Sequence, residues 1–519
     1  MVAPSAEFQR LRTQAQRGSA AAMHSIGFMY FHGDGIGVDM ALALHWYLKA
    51  GYAGLDHAQY NLGVMYQRGH GVEQDNQLAL HWYILAAEQG YAAAQYNLGW
   101  MYAKGQGAAL NVQAARHWFT LAARQGNAGA QNNLALMYET GKGAPQDMRK
   151  AVEWYRKAAD QGYARAQFNL ALRYDAGQGV EQDAQQAIAW FRKAADHGYA
   201  PAQFNLGLRY DKGQDMEADN DKAVSWYRRA ADQGHASAQF NLGLLYDSPH
   251  NRLHDDAMAL AWFRKAAEQG HAAAQDHLGL RFEAGQGVGK DLAQARHWYA
   301  LSAAQGFPGA QYHLGLLCDA GIDEAPDPTL AAAWFLKAAE QGHLRAQFDL
   351  GLRYESSIGV APDEHTALAW YRRAADRDYV PAQYAIACLH ERADSALADP
   401  DQALAWLLKA AAQGHARAQF AMGLRYDSGK GVARDFQAAF AWYIRAARQG
   451  HARAQFNLGL MHISGHGARR DLLAAYAWLL QAERGGVAQA RKYMVDAQAR
   501  MNEDQRGHVG RLCAELAAH

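Results

Sequence analysis

Histidine is the residue type of this chain that most readily suggests chemistry, because imidazole binds transition metals and activates nucleophiles. The chain of 519 residues contains 24 histidines. Five of them are separated by multiples of 36 residues: His235, His271, His343, His415 and His451. Residues one structural repeat apart lie about 10 Å from each other, whereas zinc–nitrogen bonds measure about 2 Å. We therefore interpret these histidines as turn residues, and we predict neither a metal ion nor another cofactor.

Two short motifs resemble catalytic or phosphate-binding signatures, but each lacks an essential residue. His390-Glu391 begins a zinc-protease pattern, yet Asp394 stands where the second histidine is required. Gly289-Lys290 resembles the end of a phosphate-binding loop, yet Asp291 replaces the serine or threonine. No cysteine lies in a recognisable nucleophile context. We therefore predict that the chain is not an enzyme.

Charge and cysteine content restrict the partners and the compartment. Lys+Arg and Asp+Glu both number 51, so no basic excess predicts a nucleic-acid partner. The three cysteines, Cys318, Cys388 and Cys513, are far apart and odd in number, which argues against a disulfide framework. The segment 1–18 lacks a signal-peptide core, and no apolar run reaches membrane-spanning length. We expect a cytoplasmic protein without membrane insertion.

The elements that position all these residues repeat every 36 residues. Of the 14 tryptophans, all except Trp100 belong to one evenly spaced series. That series is Trp46, Trp82, Trp118, Trp154, Trp190, Trp226, Trp262, Trp298, Trp334, Trp370, Trp406, Trp442 and Trp478. When Ala22 is counted as position 1 of repeat 1, the tryptophan occupies position 25 and position 22 is alanine in every repeat. Thirteen repeats follow one another without insertion or deletion.

Repeat 5, residues 166–201, shows why each unit should form two helices. Ala166, Leu170 and Tyr174 recur every four residues and therefore share one face of a first helix. The glycines of the stretch 177–180 end that helix, and Asp183 is a suitable N-cap for a second one. A single hairpin cannot bury its apolar face alone, so the repeats must stack. The predicted fold is an all-α, right-handed α-solenoid (superhelix) of thirteen 36-residue helix-turn-helix repeats with capping helices.

The ends of the chain depart from the repeat and are predicted to cap it. We expect an N-terminal capping helix in residues 1–21, the thirteen repeats as one solenoid domain in 22–489, and C-terminal capping helices in 490–519. The segment after Asn502 is amphipathic and carries Val509, Leu512 and Leu516 on its apolar face. Polar end caps keep the last apolar face of a repeat array from solvent.

The consensus A-Q-x-N-L-G-x-x-Y-x-x-G-x-G-V-x-x-D…A-x-x-W-[YF]-x-K-A-A-x-Q-G resembles the Sel1-like repeat (SLR), a relative of the tetratricopeptide repeat. Residues 94–105 with Trp118, and 166–198 almost throughout, match it closely. The resemblance covers roughly residues 20–490. It implies a scaffold or adaptor that binds partner proteins or extended peptides, with first helices lining a concave surface at positions 3, 4, 7, 8 and 11.

Position 4 supplies the first candidate contacts with a partner. Seven repeats have asparagine there: Asn61, Asn97, Asn133, Asn169, Asn205, Asn241 and Asn457. Each amide can donate to and accept from an extended peptide backbone regardless of the peptide's sequence. The alternative is a packing role, in which the amide bonds to a neighbouring helix.

Position 8 changes from methionine in the first four repeats to arginine later in the chain. The arginines are Arg173, Arg209, Arg281, Arg353 and Arg425, and each is followed two residues later by an acid. They could hold acidic segments or a peptide C-terminus. They could equally form surface ion pairs between neighbouring repeats.

Trp100 occupies position 7 and is either an anchor for a partner or a core residue.

The alternative functions are a regulatory or immunity-type inhibitor of a partner enzyme or effector and, less favoured, carbohydrate or cell-wall binding. An inhibitor should show one compact patch, for which the irregular loops of repeats 6–7 or 9–11 are candidates. The sequence does not predict the oligomeric state.

Overall fold

The computed structural model describes residues 6–249, 251–321 and 325–509, and this part of the chain contains α-helices and no strand. The helices are α1 Ala6–Gln16, α2 Ala20–His32, α3 Met40–Tyr52, α4 Asp56–Arg68, α5 Asn76–Glu88, α6 Ala92–Lys104, α7 Val112–Arg124, α8 Ala128–Thr140, α9 Met148–Asp160, α10 Ala164–Ala176, α11 Ala184–Asp196, α12 Ala200–Lys212, α13 Asn220–Asp232, α14 Ala236–Asp247, α15 Asp256–Glu268, α16 Ala272–Ala284, α17 Leu292–Ala304, α18 Pro308–Ala320, α19 Pro328–Glu340, α20 Leu344–Ser356, α21 Glu364–Ala375, α22 Val380–Glu391, α23 Pro400–Ala412, α24 Ala416–Ser428, α25 Phe436–Arg448, α26 Ala452–Ser464, α27 Leu472–Arg484 and α28 Ala490–Ala499. The even-numbered helices α2 to α26 are the first helices of the thirteen repeats, and α3 to α27 are the second helices.

The predicted capping residues determine where the helices of each repeat begin and end. In repeat 5, α10 ends at Gly177, whose φ of 64° is left-handed. The Asp183 side chain accepts from the Gln186 backbone N–H at 3.0 Å, and α11 begins at the following residue. The Asp183 backbone N–H donates to the carbonyl of Tyr174 at 3.0 Å, which closes the loop onto the first helix. The helix-turn-helix prediction is confirmed at the level of these local contacts.

The core consists of small residues packed around one large side chain per repeat. Alanine at positions 1, 22, 29 and 30 is buried throughout most of the array. The large side chain occupies position 26, the residue after the tryptophan, as in Tyr155, Phe191 and Tyr227. A Cβ atom at Gly207 would lie 2.5 Å from the Tyr227 ring, so position 6 must stay small where the ring is this close. Most tryptophans of the 36-residue series are only half-buried.

In nine repeats, a lysine or arginine three residues after the tryptophan lies over the indole ring. The ammonium group of Lys193 lies 3.9 Å from the centre of the Trp190 ring, and the Arg229 guanidinium lies 4.5 Å from that of Trp226. Residues three apart are neighbours on a helix, so this cation–π contact is local. It shields the apolar ring on the outer side of the second helices.

Buried glutamines at position 2 connect consecutive repeats. Gln203 is 4% exposed, and its Nε2 donates to the carbonyl of Ala195 in the preceding repeat at 3.0 Å. Its Oε1 accepts from Nε2 of Gln233, at the end of its own repeat, at 2.8 Å. The arrangement recurs at Gln131, which donates to a carbonyl at 3.1 Å and accepts from Gln161 at 2.7 Å. A buried amide that is satisfied on both sides fixes the spacing between repeats.

Contacts divide the chain into two compact units, Met1–Ala266 and Ala267–His519. Within each unit, helices contact mainly those adjacent to them in sequence. In the first unit, α1 precedes repeat 1 and buries Phe8 against Tyr30, with ring centres 5.8 Å apart. In the second unit, α28 and helical residues 503–509 follow repeat 13, and Val509 is 2% exposed. Leu512 and Leu516 lie outside the described residues, and the predicted domain boundaries stay predictions.

Candidate partner-binding surface

The first helices present one face that is not covered by the second helices, and this first-helix face is formed by positions 3, 4 and 7. In the first unit, Tyr60, Asn61 and Val64 of repeat 2 line a cleft of about 330 Å³. In the second unit, Phe348 and Leu352 of repeat 10 line a cleft of about 540 Å³. Side chains from positions 3, 4 and 7 therefore line a cleft in each unit, and contact of these positions with a partner stays a prediction.

Position 7 places large apolar side chains in solvent along this face. The exposed ones are Phe28 (43%), Leu136 (45%), Leu244 (36%), Leu316 (39%), Leu352 (38%) and Leu424 (42%). Isolated exposed leucines are common on protein surfaces, but a recurrence at one position of a repeat is not a scattered feature. We call these side chains the position-7 row. Position 7 was expected on the concave surface, but Trp100 was its one residue proposed as a contact, and the recurrence of leucine every 36 residues was the signal for the rest.

Trp100 is half-buried and packs against the core cluster of Ala115, Phe119 and Leu134. Part of its ring therefore contributes to packing, as the core interpretation expected, and part remains accessible on the first-helix face. Its role as an anchor for a partner stays a prediction.

The position-4 asparagines are all half-buried and form hydrogen bonds with other polar groups of the protein. The contacts are Asn61 with His24 (3.0 Å), Asn169 with Asn132 (3.0 Å), Asn205 with the Pro201 carbonyl (3.0 Å), Asn241 with the Tyr227 hydroxyl (3.1 Å), Asn133 with Asn132 (3.5 Å), and Asn97 and Asn457 with the hydroxyls of Tyr83 and Tyr443. Each amide has two donors and two acceptor sites, so one such bond leaves capacity for a second partner. Peptide binding by these amides stays a prediction.

The position-8 arginines lie between neighbouring first helices, and this corrects the expectation that position 8 faces the groove. Their guanidinium groups pair with the position-10 acid of the preceding repeat: Arg173 with Glu139 (3.2 Å), Arg209 with Asp175 (2.5 Å), Arg353 with Asp319 (2.5 Å) and Arg425 with Glu391 (3.1 Å). Arg281 occupies the equivalent position, is 2% exposed, and has its pKa lowered by burial. In these pairs the acid lies 34 residues before the arginine, on the first helix of the preceding repeat, in line with the alternative of ion pairs between neighbouring repeats, and Arg209 pairs in addition with Asp215 at 2.8 Å.

The position-10 carboxylate also accepts a hydrogen bond from a buried tyrosine hydroxyl of the core. This second contact explains why acids recur at position 10. The Tyr155 hydroxyl donates to Oε2 of Glu139 at 2.6 Å, while Arg173 contacts Oε1 of the same carboxylate at 3.2 Å. Burial together with this carboxylate raises the pKa of Tyr155 far above its usual value. The shared carboxylate joins the second helix of one repeat to the first helix of the next. A role of the arginines in holding an acidic partner stays a prediction.

The described part of the chain offers no support for metal chemistry or for a membrane span. Residues 6–249, 251–321 and 325–509 contain no group of three or more His, Cys, Asp or Glu side chains placed to hold a metal ion. Over the same ranges, no helix combines the length and the apolar content needed to cross a bilayer. The position-34 histidines instead cap first helices: Nδ1 of His415 accepts from the Ala418 backbone N–H at 3.3 Å.

Comparison with known proteins agrees with this architecture. The family model of the Sel1 repeat matches residues 20–55, 56–91, 92–127, 128–163, 164–199, 200–235, 236–271, 272–307, 308–343, 344–379, 380–415, 416–451 and 452–487. The solved structure of c5321, a protective antigen present in uropathogenic Escherichia coli strains and displaying an SLR fold, is 34% identical, with a TM-score of 0.68. That alignment covers 82% of this chain and 92% of c5321.

Two further proteins are similar to part of the chain. A Sel1 repeat protein from Oxalobacter formigenes is 34% identical over 60% of this chain and 90% of its own, with a TM-score of 0.48. A 52-residue segment is 44% identical to the ERAD-associated E3 ubiquitin-protein ligase component HRD3B of Arabidopsis thaliana. This match spans 10% of the present chain and 9% of that protein.

Proposed function

Because the chain belongs to the Sel1 repeat family, we propose that it is a scaffold or adaptor that binds partner proteins or extended peptides along the first-helix face. Sel1 repeat proteins generally mediate protein–protein interactions, and the repeat is typically a non-catalytic scaffold. The observation that carries the proposal is the position-7 row, whose side chains are 36–45% exposed. We also propose a cytoplasmic location, on the low cysteine content of 3 residues.

The spacing of the repeats suits an extended peptide. Adjacent packed helices lie about 8–10 Å apart, and an extended chain advances about 3.3 Å per residue. Every third residue of a bound peptide would therefore meet the same position of the next repeat. In this proposal, the position-7 row and Trp100 receive apolar side chains, and the free capacity of the position-4 amides binds the peptide backbone. The position-8 arginines would act mainly by fixing the first helices.

The proposal is tested by comparing two triple variants of the full chain as baits in a lysate of the cells that produce it. The test variant is Leu136→Glu, Leu244→Glu and Leu316→Glu, which places charges in the position-7 row. The control variant is Leu78→Glu, Leu110→Glu and Leu330→Glu, whose leucines are 42%, 63% and 41% exposed but lie off the first-helix face. Quantitative mass spectrometry measures the proteins retained by each bait.

We expect the test variant to lose its specific partners by about tenfold or more, since a buried unpaired charge is costly at an interface. The control variant should retain them, and both variants should unfold with wild-type cooperativity. Retention of the same partners by the test variant would show that the first-helix face is not the binding surface. A second test variant, Asn97→Ala, Asn133→Ala and Asn169→Ala, measures the contribution of the amides separately.

A further inference from the structure

Repeats 10 to 12, in the second unit, contain a continuous groove on the first-helix face. Two clefts of about 540 and 620 Å³ share Tyr384 and Arg417 in their walls. The apolar floor comes from position 7 of three consecutive repeats, namely Leu352, Cys388 and Leu424. We call this feature the repeat 10–12 groove.

The groove opens here because position 4 is alanine. Ala385 and Ala421 line the two clefts, whereas seven other repeats have the larger asparagine at this position. The missing side chain leaves space for a side chain of a ligand. Rings form the walls: Tyr384 lies 4.5 Å from the ring of His415, measured between ring centres, with 32° between their planes. The groove is therefore apolar at its base and bounded by rings that pack against each other.

Two arginines at the rim carry uncompensated positive charge. Arg417 and Arg453 line the clefts at position 36, both are exposed, and among the described residues neither has an ion-pair partner. Elsewhere the position-36 arginine binds a tyrosine of the next repeat, as Arg165 does with Tyr199. Repeat 12 has His451 at that tyrosine position, and its Nδ1 already accepts from the Ala454 backbone N–H at 3.3 Å. The guanidinium group of Arg417 therefore lacks the tyrosine that binds the position-36 arginine elsewhere in the array.

Repeat 13 removes the partner of the second arginine in the same way, because Val487 stands at the tyrosine position and also lines the groove. One acid, Glu355, lines the other end of the groove. Its carboxylate already accepts from the Tyr371 hydroxyl at 2.7 Å and from Arg392 at 3.3 Å. The unsatisfied charge of the groove is therefore positive.

We propose that the repeat 10–12 groove binds a linear peptide segment in which acidic residues flank large apolar ones. Apolar side chains fill the spaces above Ala385 and Ala421, and carboxylates bind the guanidinium groups of Arg417 and Arg453, which suit planar bidentate acceptors. The two arginines are one repeat apart, so the two acids are about three residues apart in an extended peptide. This inference rests on the proposed scaffold function and names its ligand class at one site.

The test is selection of random peptides displayed on phage by the immobilised full chain, followed by binding measurements with the selected peptides. We expect enriched peptides to have two acids about three residues apart with leucine, phenylalanine or a similar residue between them. Fluorescence anisotropy should show that Arg417→Glu with Arg453→Glu lowers the affinity by about tenfold or more. Arg124→Glu with Arg448→Glu is the matched control, since both residues are exposed on second helices and the change in net charge is the same.

A second variant tests the groove with a substitution that should not disturb folding. Ala385→Asn with Ala421→Asn introduces the residue that most repeats have at position 4, so it should fold normally and weaken binding about fivefold or more by filling the spaces. Enriched peptides without acids, or unchanged affinity in both groove variants, would overturn this inference while leaving the scaffold function standing. No enrichment of any peptide would count against both. Binding of a random single-stranded oligonucleotide that depends on Arg417 and Arg453 would replace the peptide with a nucleic acid and overturn the inference.

Discussion

Lowering the pH from about 7.5 to about 5 should destabilise this protein through the histidines that cap its first helices. In each case Nδ1 accepts a hydrogen bond from the backbone N–H three residues later, which requires an unprotonated nitrogen. The contacts are His235 with Ala238 (3.2 Å), His343 with Ala346 (3.2 Å), His415 with Ala418 (3.3 Å) and His451 with Ala454 (3.3 Å). Burial lowers the pKa of all four histidines below the usual 6.5.

The sign of the effect follows from the direction of the pKa change. A histidine whose pKa is lower in the folded state binds its proton more readily when unfolded, so acid favours unfolding. The stabilisation is fully present above pH 6.5, the ordinary value, and is lost as the pH falls below it through the lowered folded-state pKa. A side-chain N-cap contributes about 1 kcal/mol, so losing the four caps should cost about 4 kcal/mol in total. An imidazolium at the positive end of a helix adds to this cost.

The repeat supplies its own control for this prediction. Asn127 occupies the same position in another repeat and caps α8 by accepting from the Ala130 backbone N–H at 2.9 Å without titrating. We expect a variant with asparagine at all four histidine positions to lose about 4 kcal/mol less stability than the wild type over the same pH range. Urea unfolding followed by far-ultraviolet circular dichroism measures the total. Hydrogen exchange should show faster opening at low pH in α14, α20, α24 and α26 but not in α8. Equal pH dependence in both proteins would refute the reasoning.

Three further predictions concern the packing described above. Ser357→Gly should stabilise the protein by about 1 kcal/mol in urea unfolding, because Ser357 ends α20 with a left-handed φ of 58°; an unchanged or lower midpoint would contradict this. Gln203→Ala should cost about 2 kcal/mol because it removes two buried hydrogen bonds, one to the Ala195 carbonyl and one from Gln233, whereas Gln233→Ala removes only the second and should cost about 1 kcal/mol or less. Arg209→Ala, at a residue 3% exposed, should cost about 2–4 kcal/mol, and Arg165→Ala on the surface should cost less than about 1 kcal/mol; similar losses in the two arginine variants would argue against a structural role for position 8.

Local features of the sequence predicted the helices well. The caps Asp183 and Gly177 act within a few residues of their own position, so their types define helix ends without knowledge of the fold. The period of 36 residues then predicts the stacking of thirteen units. Family membership, the α-solenoid fold class and a scaffold of interacting repeats follow from these signals.

Contacts between repeats were harder to predict, because residue type does not specify the partner. Arg209 pairs with Asp175 of the preceding repeat and with Asp215, six residues ahead, rather than with Asp211 on its own helix. Helix geometry disfavours an acid two residues ahead, which lies on another face of the helix, but it does not specify which acid of an adjacent helix takes its place. Gln203 was visible as part of the consensus, but its role depends on a carbonyl eight residues earlier and an amide 30 residues later.

The most visible residue of the repeat is not the most buried one. Tryptophan revealed the period, whereas the fully buried ring is its neighbour at position 26, as in Tyr227. Two adjacent helical residues point about 100° apart, so a series of large residues does not show which of them faces the core. Position 7 was expected on the concave surface, but residue type did not predict how exposed its leucines are, because leucine usually lies in the interior and its exposure follows from how the hairpins stack.

The bonds made by the position-2 glutamines and the position-10 acids have a consequence for how such a chain can evolve. Each joins residues at fixed offsets, such as 30 between Gln203 and Gln233 or 34 between Arg209 and Asp175. Duplication or deletion of one whole 36-residue unit in the gene would recreate the same offsets at the new junction. The number of repeats, and with it the length of surface available to partners, can therefore change by recombination without the invention of a new interface. Selection can then act on the surface residues of each copy separately.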